Sequence, residues 1–131
     1  MAKTACSAVL GALLIAGLAH AQQAAPVDSK GVTNKALASL ELGPEIEGMA
    51  GRHMRLRMVT LAPGGTIAAH NHKDRPSIEY ILQGTVTEYR NGIAKEYGPN
   101  EFITADKGTT HGWENKGTVQ VILLPFDLFK P

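Results

Sequence analysis

His70 and His72 stand two residues apart, Glu79 follows on the next stretch of chain, and His111 lies well downstream. In an extended chain successive side chains point to opposite faces, so the two histidines of a His-x-His step share a face. A pair of neutral imidazoles pointing one way is the beginning of a divalent-metal site, because each offers a nitrogen lone pair to a borderline ion. The same step also describes two surface histidines beside a turn, and alone it does not separate the two. Asp74 and Arg75 come shortly after His72; they read as a solvated loop that could also meet a polar ligand. Arg55 and Arg57 alternate with Met54, Leu56 and Met58, which reads as the solvent-facing side of a strand. His53 reads as an edge or solvent-facing residue. Met54 and Met58 read as packing, since a copper site would need a third soft ligand nearby. Trp113 reads equally as a pocket wall or a core aromatic. The sequence contains no glycine-rich phosphate loop and no nucleophile elbow.

These side chains need strands to hold them. Residues 54–61 alternate apolar and polar, and residues 66–72, 78–83, 85–89, 93–97 and 101–104 follow as further short β-like segments. Residues 119–126 are apolar enough for a central strand. Gly43-Pro44, Pro63-Gly64-Gly65 and Asn91-Gly92 are turn signals; the last is a two-residue hairpin turn, because both residues tolerate positive φ. Residues 36–42 also alternate, and a short helix there would be stopped by Gly43-Pro44. With no sustained helical period, many short strands between turns indicate an all-β sandwich or barrel.

The chain has 131 residues, enough for one domain. Lys3, an apolar run over residues 8–18 and the step Ala19-His20-Ala21 read as a secretory signal peptide over residues 1–21. The run is shorter than the roughly 20 residues of a membrane span. Cleavage after Ala21 would remove Cys6, the single cysteine, leaving no thiolate ligand and no disulfide. The mature protein is then expected in the periplasm or outside the cell, with no membrane attachment. Residues 22–31, small and polar, read as a flexible lead-in, and residues 32–131 as the domain. Thirteen Lys and Arg against twelve Asp and Glu give no footprint for nucleic acid.

The flanks of the histidines carry a resemblance. Gly64, His70, His72 and Gly84 fall at the spacing of the first motif of the cupin superfamily, and Gly108, His111 and Asn115 fall at that of the second. Asn100 stands in a slot usually held by Gly, a mild change because Asn tolerates the left-handed backbone; Asp106 stands in a Pro slot. The resemblance covers roughly residues 51–126. It implies a cupin jelly-roll β-barrel (a double-stranded β-helix) of the small single-domain kind, with one divalent transition metal (Fe, Mn, Zn, Ni or Cu) held by His70, His72 and His111 near one mouth. Barrel closure is what could bring the distant third imidazole to the other two. By analogy with the family, a homodimer formed through residues 32–42 is also implied.

The glutamate departs from the pattern. The family's carboxylate slot, seven residues before Gly84, holds Ser77, and Glu79 follows two later. Glu79 keeps the parity of Ser77 and should face inward, but about 6 to 7 Å further along the strand. Three arrangements are open: a three-histidine site without a carboxylate, a bulge beside Pro76 that brings Glu79 to the ion, or Glu79 acting beside the site as a catalytic acid/base. The expected function is a metalloenzyme of oxygenase or isomerase/lyase type acting on a small polar molecule; the alternative is a non-catalytic module that binds a small ligand in the same pocket.

Overall fold

The computed structural model describes residues 22–131; the signal-like residues 1–21, with Cys6 and His20, lie outside them. Alternation dictates the strands. In β2 (His53–Asn71), Arg57, Val59 and Leu61 are buried while the residues between them are half-buried. Seven further strands complete the element order: β1 (Lys30–Glu41), β3 (Ser77–Gln83), β4 (Val86–Arg90), β5 (Ile93–Tyr97), β6 (Phe102–Ala105), β7 (Thr110–Glu114) and β8 (Val121–Phe129). All pair antiparallel in the order β5-β4-β7-β2-β8-β3-β6, with β1 added along β2. The β4–β5 hairpin turns on Asn91 (φ 54°) and Gly92 (φ 73°), the positive pair a two-residue turn requires.

β2 is the hinge of the architecture. Its first half pairs with β8, from His53↔Phe129 to Leu61↔Val121. Its second half pairs with β7, from Thr66↔Glu114 to Asn71↔Thr110. The expected turn at Pro63-Gly64-Gly65 is therefore a corner within one strand, where the chain passes from one half of the barrel to the other. Gly64 takes φ 71°, and its N–H donates to the Asn115 carbonyl at 2.9 Å. A Cβ on Gly65 would sit 2.8 Å from the Ala62 carbonyl oxygen. The sequence signal marked a departure from extended backbone, but cross-strand bonds on both sides of the corner turn that departure into a bend instead of a reversal.

The interior has two ends. Val59, Leu61, Ile81, Val86, Ile103, Trp113, Val121 and Leu123 form one apolar cluster. Continuing along the same inward faces, β2 presents Arg57, β3 presents Glu79 and Ser77, and β8 presents Asp127, all buried. Strand register sets these levels: Ile81 opposes Leu123, Glu79 opposes Pro125, and Ser77 opposes Asp127. The residues expected to be a flexible lead-in are bonded to the barrel: the Ala69 N–H donates to the Pro26 carbonyl at 2.9 Å, the Gln23 N–H to Gly92 at 3.0 Å, and Thr66 Oγ1 to Asp28 at 2.8 Å. β1 begins at Lys30, inside the stretch read as lead-in.

Candidate metal centre

His70 lies near the end of β2, His72 just after it, Glu79 on β3 and His111 on β7. His70 pairs directly with His111 across the β2–β7 ladder, which is what closes the distance between residues remote in sequence. One ligand atom from each of the four groups lies within 4.8 Å of all the others. His72 Nε2 is 3.2 Å from His70 Nε2 and 2.9 Å from His111 Nε2. Glu79 Oε1 is 3.6 Å from His72 Nε2 and 3.8 Å from His111 Nε2.

The outward nitrogens decide what the inward ones can do. His70 Nδ1 faces the Ala68 carbonyl at 3.0 Å, and His72 Nδ1 faces the Arg75 carbonyl at 2.8 Å. A carbonyl only accepts, so each Nδ1 must carry the proton. His111 Nδ1 likewise donates to Glu88 Oε1 at 2.7 Å. In each neutral ring the Nε2 lone pair is then bare, and the three lone pairs converge with no proton between them. Convergent lone pairs repel one another unless a cation sits among them. Donors about 2.1 Å from a common ion lie about 3.0 to 3.5 Å apart, close to the spacings found here. The four residues fit a divalent ion.

Burial biases His70 and His72 toward the neutral form a metal needs and works against the ionised form of Glu79. It lowers the pKa of His72 to about 4, against the opposing pull of the Arg75 carbonyl. Burial also lowers His70, against its bond to Ala68. Burial raises the pKa of Glu79, with the Ser77 hydrogen bond opposing it. For Glu88 burial again pushes upward, but the bonds from His111 and Arg90 prevail and hold its carboxyl below the ordinary range. Arg90 clamps it, with Nη2 2.6 Å from Oε1.

Glu79 joins the histidines without the bulge considered for it: the register of β3 against β8 is unbroken from Ser77 to Ile81. Ser77, in the slot where the family carries its carboxylate, has a short side chain that leaves room for Glu79. Its hydroxyl donates to Glu79 Oε1 at 3.1 Å and lies 3.2 Å from His72 Nδ1. His53 is not in the group; its ring stacks on Phe129 at 5.5 Å. Asp74 is exposed and Arg75 half-buried. Trp113 is both core and wall, with its ring 5.2 Å from that of His111.

A cavity of about 350 Å³ adjoins the cluster, lined among others by His70, Glu79, Arg57, Arg75 and Trp113. Arg57 corrects the sequence reading. It is 9% exposed, inside the barrel, because on β2 the inward face carries Arg57, Val59 and Leu61, and Leu56 and Met58, which flank Arg57, lie on the other face. Glu88 was equally unforeseen; whether the odd or even residues of β4 face inward cannot be read from an alternation this short.

The cupin domain profile matches residues 57–127. A curated relative, mannose-1-phosphate guanylyltransferase ManC of Salmonella typhimurium, is 31% identical over 75 residues, which is 57% of this chain and 16% of that protein. This chain thus corresponds to a small part of that relative's length. Among solved structures, KdgF from Halomonas sp. superposes with a TM-score of 0.59 at 18% identity, covering 76% of this chain and 84% of the other. A predicted oxalate decarboxylase from Thermotoga maritima superposes with a TM-score of 0.54 at 21% identity, covering 79% and 98%. At these identities the likeness is one of fold.

Proposed function

We propose, from the premise that this chain belongs to the cupin domain family, that it is a single-metal protein acting on a small polar molecule in the cavity beside His70 and Glu79. The observation that carries this is the convergence of three Nε2 lone pairs whose Nδ1 protons are all committed elsewhere. Such an arrangement offers three lone pairs to one divalent ion, each fixed by its outward bond. A bound divalent ion would polarise an oxygen of the substrate or bind oxygen at a position the four residues leave free. The residues themselves do the rest. His70, His72 and His111 would hold the ion, each oriented by its outward bond. Glu79 stands among the donors and also on the cavity wall, so the same carboxylate is placed to move a proton on a bound molecule. Trp113 and the apolar residues of the cavity give its inner end a nonpolar wall. An oxygenase or an isomerase/lyase suits this geometry, and the metal separates the two. We place the mature protein outside the cytoplasm on the strength of residues 1–21; an exported product whose N-terminus is Gln22 is the expected result.

The test is elemental analysis of protein purified without chelator, beside a His70→Ala/His111→Ala variant. Near-stoichiometric transition metal in the wild type and none in the variant is expected. Absence of metal from both, after attempted reconstitution, would leave a cupin that binds its ligand without an ion.

A further inference from the structure

Arg57 is a buried charge with an unfinished set of bonds. Its Nη2 lies 2.8 Å from Asp127 Oδ2, but its Nε–H is buried and has no partner. A buried donor left unmade costs free energy, and such a group calls for an explanation. Its surroundings are rich in positive charge. Arg55 grips the same carboxylate from the other side, with Nε to Oδ1 at 3.0 Å and Nη2 to Oδ2 at 3.1 Å. Arg75 Nη1 stands 3.9 Å from Oδ2. Three guanidiniums thus share one fully buried carboxylate, and even with Glu79, the other acid on this cavity, positive charge is left in excess. Of the three, Arg57 and Arg75 line the cavity that also holds His70 and Glu79.

We propose that Arg57 and Arg75 form an anion subsite in this cavity, and that its ligand is the carboxylate of a small oxygenated organic acid. The acid's hydroxyl or oxo oxygen faces the imidazole cluster, and for that second contact alone the proposal rests on the metal reading above. With Nη2 committed to Asp127, Arg57 reaches the cavity through the rest of its guanidinium, and Arg75 brings a second donor group from the loop after His72. Two donor groups match the two oxygens of a planar carboxylate better than the three of a phosphoryl group. Val59, Leu123 and Trp113, on the same cavity, supply an apolar wall for the acid's carbon, and about 350 Å³ is ample room for a short acid.

The experiment is calorimetric titration of glycolate, pyruvate, neutral glycolamide and inorganic phosphate into the purified protein, once metal-loaded and once stripped, with metal content measured on each sample. At least one acid is expected to bind, with glycolamide about tenfold weaker or worse and phosphate weaker than the better acid. Arg75→Gln should weaken the acid about tenfold while leaving metal content unchanged, because His72 is held by the Arg75 backbone carbonyl and not by its side chain. Arg57→Lys, which keeps a charge but loses the planar guanidinium fork, should weaken it similarly; should that variant fail to fold, Arg75→Gln decides. The subsite is overturned if neither acid binds, if the amide binds as well as glycolate, if phosphate binds more tightly than both acids, or if Arg75→Gln binds like the wild type. Acid binding that responds to Arg75→Gln in a protein that takes no metal would sink the metal reading and keep the subsite. Stoichiometric metal without that response would do the reverse.

Discussion

His111 depends on a single side chain for its orientation. Glu88 accepts its Nδ1 proton and is itself fixed by Arg90. Replacing Glu88 with Gln keeps the shape but removes the charge that favours Nδ1–H, and metal affinity should fall about 10- to 100-fold. Competition against a chromophoric chelator reads this directly; an unchanged affinity would show that Glu88 has no hold on the site. Burial of the imidazoles also gives the metal-free protein a pH dependence of known sign. The folded pKa of His72, about 4, lies below its value of about 6.5 in an unfolded chain. The unfolded state therefore binds more protons between those values, and stability is lost as pH falls through that window. His70 shifts the same way. Glu79, raised by burial, works in the opposite sense: its folded form holds a proton that the unfolded one has released, so its contribution is lost as pH rises. Chemical denaturation of stripped protein at pH 7 and pH 5 should show a lower midpoint at pH 5, and His72→Gln should shrink the difference. A midpoint that is flat or higher at pH 5 would contradict the histidine contribution.

The corner in β2 carries the relation between the two barrel halves, and Asn115 secures it. Its buried Nδ2 donates to the carbonyls of Leu61, Ala62 and Val119, while Oδ1 accepts from the Gly117 N–H at 3.0 Å. Asn115→Ala should cost about 2 to 3 kcal/mol, the penalty for buried carbonyls left without a donor. Asn115→Asp should cost more, since it turns a second acceptor toward those carbonyls. Urea midpoints order the two variants, and the reverse order would mean that the corner does not rest on this amide. Much at this scale was legible in the sequence. Asn91-Gly92 forms the hairpin turn its φ preference calls for. The parity of Glu79 with Ser77 put it on the inner face, where it lies 4% exposed. What could not be read was reach: a strand-distance argument placed Glu79 too far along, because side-chain extension and barrel curvature do not appear in spacing. Nor could Arg57 be assigned inward. Both faces of β2 carry apolar residues, so alternation alone does not say which face is the interior, and the charge of an arginine favours the wrong answer unless its partner Asp127 is known.

For the molecule as a whole, the four candidate ligands come from β2, β3, β7 and the loop after β2, so an ion among them ties together strands remote in sequence. An ion bound by the folded state and not by the unfolded one stabilises it by roughly 4 kcal/mol at a thousandfold excess over its dissociation constant. Stripping the metal should therefore lower the thermal midpoint by several degrees, with restoration on adding back the native ion; the His70→Ala/His111→Ala variant should show no such response in differential scanning calorimetry. The division of the interior bears on the history of such a protein. β2, β3 and β8 each write folding and chemistry into one inward face, with the apolar residues at one end and the ionisable ones at the other. Erosion at the ionisable end leaves the apolar end intact. A lineage that loses its donors still inherits a folded vessel with a cavity in it, and the next chemistry to arise there need not begin by inventing a fold.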